Sequence, residues 1–150
     1  YEGGHHIPFI VKWPGKVKVS TFSDHISAFW DVMPTIAEIT GSQIVTPTDG
    51  ISFLPELLGR KGQKQHEYLY WEFHEQGGKI AVRMGNWKGI RLNVDKAPDG
   101  AIELYDLSKD IGETNNIAAS NPEIVKKIEA IMKKEHIPSK DFPFTYEINK

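Results

Sequence analysis

Residues 7–11 are a short apolar run closed by Trp13-Pro14-Gly15, a pattern that predicts a buried strand leaving a glycine-rich turn. The Gly3-Gly4 pair ahead of it permits backbone angles that a side chain would forbid. Asp31-Val32-Met33-Pro34-Thr35 predicts a helix start, with Asp31 free to cap and Pro34 tolerated in the first turn. Ile36, Ala37 and Ile39 continue its apolar stripe to Gly41, a C′ candidate. Residues 24–30 are a second helical candidate, and residues 42–64 are loop-rich, although residues 53–58 could form a helical turn. A subdomain boundary falls within residues 59–65, giving a first part of 1–62 and a second of 63–150.

The pattern then changes to strands. Residues 68–74 are rich in aromatics, residues 79–84 and 86–92 flank a Gly85-Asn86 turn, and residues 101–107 follow Pro98-Asp99-Gly100. Short links between successive strands predict a four-stranded antiparallel meander. A helix comes next, opened either by a Ser120/Glu123 capping box or by Asn121 with Pro122 at N1. Its apolar stripe of Ile124, Val125, Ile128, Ile131 and Met132 should cover the sheet. The tail from Ile137, with Pro138, Pro143 and several aromatics, should lie extended across a surface. The chain reads as α+β.

Charge and composition narrow the chemistry. A net charge of −2, with 18 basic residues spread among 20 acids, argues against a nucleic-acid partner. No apolar stretch has the length of a membrane span, so membrane insertion is not expected. Without cysteine there is no thiolate nucleophile, disulfide or Cys-ligated zinc.

Tyr1-Glu2-Gly3-Gly4-His5-His6-Ile7-Pro8, followed by Trp13-Pro14-Gly15, resembles the sulfatase family, whose members carry Glu-Gly-Gly, a basic residue, Pro, a hydrophobic strand and Trp-Pro-Gly in that order. Asp31-Val32-Met33-Pro34-Thr35 resembles the family's Asp-x-x-Pro-Thr helix start, and residues 49–55 its Asp-Gly-x-Ser-x-x-Pro segment. Residues 81–88 are similar to the strand and Trp-Lys turn of the family's smaller C-terminal sheet. Residues 103–107, with Asp110, Glu113 and Asn115-Asn116, are similar to its Glu-Leu-Tyr-Asp-Leu segment. The resemblance implies the C-terminal portion of an arylsulfatase-like, formylglycine-dependent enzyme of alkaline-phosphatase-like α/β fold. Residues 1–62 would end the large α/β domain and 63–150 would form the small subdomain.

That parent would hydrolyse sulfate esters, on a carbohydrate or an aryl group, in the periplasm or outside the cell. Formylglycine and calcium are implied for the parent and neither for this chain. The Cys/Ser-x-Pro-x-Arg motif is absent, and the calcium ligands and the sulfate-binding lysine would lie upstream. No catalytic or metal-binding residue is therefore assigned here, and the chain alone is expected to be inert. Substrate would be met through the missing N-terminal domain, and the apolar surface exposed by its loss leads to an expectation of self-association. The rival reading is a non-catalytic carbohydrate-binding or structural module.

Substrate-binding candidates are His5, His6, His74 and Glu75. His6 stands where most relatives have Arg, so a permanent charge becomes a group that titrates near neutrality. His5 or His6 would donate a hydrogen bond to a sugar hydroxyl or sulfate oxygen; otherwise His6 packs in the Arg slot and His5 serves loop backbone. His74 and Glu75 end an aromatic strand before two glycines, at a pocket rim or at a solvated hairpin tip. Alternation puts Tyr70, Glu72 and His74 on one face and Leu69, Trp71 and Phe73 on the other. Trp71, Trp87 and Tyr105 read as core; Arg83, Lys88 and Arg91 as a solvated or internally paired face; Asp106, Asp110 and Glu113 as turn caps.

Overall fold

A computed structural model describes residues 1–148, which run α1 (Glu2–His5), α2 (Val32–Thr40), α3 (Leu54–Leu57), β1 (Leu69–Phe73), β2 (Lys79–Met84), β3 (Trp87–Leu92), β4 (Ile102–Asp106), α4 (Pro122–Glu135) and α5 (Thr145–Ile148). The chain divides into two compact units: Tyr1–Ile7 together with the chain from Tyr68 onward, and Pro8–Glu67. Among the described residues no helix is long and apolar enough to cross a membrane.

In the first unit β1 to β4 form an antiparallel sheet in sequential order. Met84 pairs with Trp87 across a two-residue loop whose first member, Gly85, takes φ 59°, a left-handed angle that glycine adopts without strain. Period-two alternation separates the sheet's faces. One carries Ile80, Val82, Ile102 and Leu104 and is covered by Ile128 and Met132 of α4. Gly89 makes that approach close: a Cβ there would lie 2.6 Å from Ile128 Cγ2. The opposite face carries Trp71, Ala81, Ile90 and Tyr105. Burying side chains such as Ile128 and Leu104 contributes about 1.5–3 kcal/mol each, so this double-sided sheet is the main source of stability.

The opening of α4 follows the Asn121–Pro122 alternative, without a side-chain cap. Asn121 turns its Nδ2 back to donate to the Ile117 carbonyl at 2.9 Å. The tail departs from expectation. It bends back, and Phe144 becomes fully buried in the α4-covered core, stacked on His74 at 4.0 Å between centroids. His136 fastens it, with Nδ1 on Glu72 at 2.7 Å and Nε2 on Glu147 at 2.9 Å. Burial alone would depress the His136 pKa, but the hydrogen bonds it donates to Glu72 and Glu147 outweigh it and raise the pKa above its usual value.

In the second unit α2 ends at Gly41 in the left-handed conformation, as its sequence predicts. Asp31 does not cap it. The buried carboxylate accepts the Ala28 N–H at 2.7 Å, the Ile51 N–H at 2.8 Å and His66 Nε2–H at 2.8 Å, joining three loops instead. Gly50 is required here, since a Cβ would lie 2.3 Å from the Trp30 carbonyl oxygen. Two further expectations fail. Residues 24–28 form no helix, only residues 29–31 making a 3-10 turn, and residues 7–11 form no strand. Ile10 is 91% exposed. An extended segment needs a partner for its backbone groups, and no described strand lies beside this one.

Candidate functional site

The glycine-rich opening folds as one helical turn laid on the Trp71 face of the sheet, within the first unit. Neither Gly3 nor Gly4 takes a positive φ, so neither is needed here for a left-handed angle. The turn is held by charge. Glu2, 5% exposed, accepts from Lys88 Nζ at 2.6 Å and from Arg83 Nη1 at 3.3 Å. Its backbone N–H donates to the buried Glu113 Oε2. Lys88 is fully buried in β3 and directs its ammonium at Glu2 Oε1, at His5 Nδ1 (2.9 Å) and toward Glu113 Oε1 (3.7 Å). At the edge Tyr1 and Tyr105 hydroxyls both donate to Glu103 Oε2, at 2.7 and 2.9 Å.

These charges are balanced, with two carboxylates facing an ammonium and a guanidinium. Burial works to raise the Glu2 pKa, but the Lys88 hydrogen bond and charge, with Arg83, hold it below the usual carboxylate range. His5 goes the other way. Its partial burial, then the adjacent Lys88 charge, push its pKa down to about 4, so its imidazole is neutral. The ring is stacked on Trp71 at 4.4 Å and 14°.

The four expected substrate contacts do not converge. His5 lies on Trp71 and His6 beside it is exposed. His74 belongs to the opposite, Phe144-containing cluster, with Nε2 donating to Glu72 at 2.9 Å, while Glu75 is exposed at the hairpin tip. Trp71 and Tyr105 pack as core, and Trp87 packs against the α4-side cluster. Arg91 is internally paired, donating to the Gly100 and Pro98 carbonyls. Asp106 and Asp110 cap turns as predicted, but Glu113 is buried against the Glu2 turn, contrary to expectation.

Glu2 and Glu113 are the residues that sequence reading missed, whereas Lys88, read as solvated or internally paired, is internally paired with both. One signal was available: a lysine between Trp87 and Gly89-Ile90 alternates onto the same face as Trp71. The second unit has an apolar groove of about 220 Å³ lined by Phe9, Trp13, Ile36, Ile39, Phe53 and Leu57, with Lys12 as its one titratable lining residue.

Calcium and formylglycine do not fit the residues present. Glu2 and Glu113 are already countered by Lys88 and Arg83, no three His, Asp or Glu converge on a metal position among the described residues, and the sequence has neither a cysteine nor a Ser-x-Pro-x-Arg segment.

The comparisons with known proteins agree with this architecture. The family described as N-sulphoglucosamine sulphohydrolase, C-terminal, matches residues 1–139. The Delta 4,5-hexuronate-2-O-sulfatase of Bacteroides thetaiotaomicron is 31% identical over 121 residues, covering 79% of this chain and 25% of that protein. Human arylsulfatase A is 30% identical over 155 residues, covering 87% of this chain and 30% of its own length. A solved structure from work on the metabolism of multiple glycosaminoglycans by Bacteroides thetaiotaomicron superposes with a TM-score of 0.68 at 29% identity, covering 89% of this chain and 30% of that one. The chain thus spans less than a third of the length of these relatives. Its structural neighbours include sulfatases, whose fold is alkaline-phosphatase-like. With the family match running from the Glu2 turn through the sheet and α4, this chain belongs to the sulfatases, in the N-sulphoglucosamine sulphohydrolase C-terminal family.

Proposed function

We propose that this chain is the C-terminal part of a sulfatase that hydrolyses sulfate esters, on a carbohydrate in preference to an aryl group, and that it is inert alone. The observation carrying this reading is the Lys88 clamp. The Glu-Gly-Gly-His turn, which the family resemblance sets at the margin of the reaction centre, is fastened through Glu2 to the small sheet. The sheet's role is then to fix where that turn stands, since misplacing a contact residue by even an ångström is costly in rate. The names of the hexuronate sulfatase and of the glycosaminoglycan work support a sugar substrate; arylsulfatase A keeps the aryl ester as the competitor.

Formylglycine and calcium would be supplied by other parts of the parent, acting in the periplasm or outside the cell. His5 and His6 would meet substrate. Of the hairpin pair, Glu75 is the one free to reach a ligand, because Phe144 stacks on the His74 ring. A carbohydrate-binding module would need an open aromatic face, and His5 lies over that of Trp71.

The test is sulfate release from a sulfated disaccharide and from an aryl sulfate, by this chain and by the chain joined to its upstream coding sequence. The longer protein should turn over both, the disaccharide with the higher kcat/KM, and the chain alone neither. Turnover by the chain alone, or none by the longer protein, sinks the proposal.

A further inference from the structure

The contact between Lys88 and His5 assigns a proton. A lysine ammonium has donors and no acceptor, so the 2.9 Å contact requires His5 Nδ1 to offer its lone pair. A neutral imidazole in that position carries its single proton on Nε2. The reverse assignment, with Lys88 neutral and His5 charged, is disfavoured because Lys88 also faces Glu2 Oε1 at 2.6 Å and Glu113 Oε1 at 3.7 Å. A doubly protonated His5 would place a third positive charge beside Lys88 and Arg83 against only two carboxylates.

The charged groups around the ring come from every element that packs there: Glu2 and the Tyr1 α-amino group on its own turn, Arg83 on β2, Lys88 on β3 and Glu113 beyond β4, with Trp71 of β1 beneath it. The stacking and the Lys88 bond fix both the plane and the rotation of the imidazole. Among the described residues nothing bonds Nε2, and it is not one of the sealed, unsatisfied polar atoms.

We propose that Lys88 is a positioning residue that locks His5 as the Nε2–H tautomer, so that His5 presents one uncharged, oriented N–H to an oxygen of the sulfate-ester substrate. This rests on the sulfatase reading and adds to it the protonation state and its cause. A locked, uncharged imidazole offers one directed hydrogen bond and no net charge. It is thus suited to discriminating a particular hydroxyl or sulfate oxygen.

The tautomer is read directly from ring ¹⁵N shifts of the labelled full chain, with His5→Gln identifying the signal. Nδ1 should be of the unprotonated type and Nε2 of the protonated type from about pH 8 down to about pH 5, where an ordinary histidine changes charge. A proton on Nδ1, or a His5 titrating at the ordinary value, overturns the proposal and leaves the sulfatase reading standing.

The donor role is tested in the longer, sulfate-releasing protein. His5→Gln places an amide N–H near the Nε2 position and should keep kcat/KM within about threefold, while His5→Asn, with its amide near Nδ1, should lose about tenfold, the worth of one hydrogen bond. Equal losses overturn it. Lys88→Arg should retain the tautomer; Lys88→Met should raise the His5 pKa and give kcat/KM an acid limb, and a folded Lys88→Met protein with an unchanged tautomer and pH profile also overturns it. Should Lys88→Met not fold, the wild-type shifts decide alone. Absence of sulfate release by the longer wild-type protein sinks the parent reading and the donor role with it, while the shifts still judge the tautomer.

Discussion

Two histidines of one unit respond to pH in opposite directions because their neighbours differ. His136 lies between Glu72 and Glu147 and has a raised pKa, so its contribution to stability is present in acid and fades as pH rises through that value. His5, beside Lys88, has a pKa lowered to about 4 from 6.5; the unfolded chain takes up a proton that the folded one refuses, and stability falls as pH drops from 6.5 toward 4. Urea midpoints should therefore show His136→Gln destabilising more at acid than at alkaline pH. His5→Phe, which keeps a ring over Trp71, should flatten the acid-side decline. A His5→Phe profile parallel to wild type would contradict the assignment. None of this was legible in the sequence. His5 is recognisable as a polar residue in a family motif, but its state depends on Lys88, 83 residues away, and a lysine in a strand reads as solvated or internally paired, with no partner identified, until the element covering it is known.

Strands and helices were far more legible than the contacts between them. Residues 79–84 were predicted with the observed bounds of β2 because apolar run, turn glycine and strand length agree. The apolar run at residues 7–11 carries the same local signal and forms nothing, since strand formation requires a neighbour. The tail failed for the complementary reason: its prolines suggest extension, but Phe144 finds a slot against Gly78, Val94 and His74. Gly89→Ala should cost about 1–3 kcal/mol, as Ile128 must retreat from the new methyl. Phe144→Ala should cost about 3–5 kcal/mol by emptying a filled core position. Denaturant titration checks both, and a neutral Gly89→Ala would mean that α4 shifts freely on the sheet.

At the scale of the molecule the two units differ in how their apolar residues are satisfied. The first buries them between sheet, α4 and tail. The second leaves Ile10, Val19, Phe22, Phe29 and Val45 open and makes few backbone hydrogen bonds before α2. We expect amides of residues 8–27 to exchange within the dead time while those of β2 and β3 stay protected. We also expect the chain to self-associate as concentration rises, because this much open apolar surface is rarely left unpaired. A concentration-independent monomer in sedimentation, with residues 8–27 protected, would contradict both.

The family match ends at residue 139, yet Phe144, five positions further on, is among the fully buried side chains. The stretch that the family model matches and the stretch that this chain needs in order to fold therefore do not end at the same place. A relative ending at the shared boundary must fill the space beside Gly78 with something else. A family definition, read as a cutting guide, would remove part of this chain's own core.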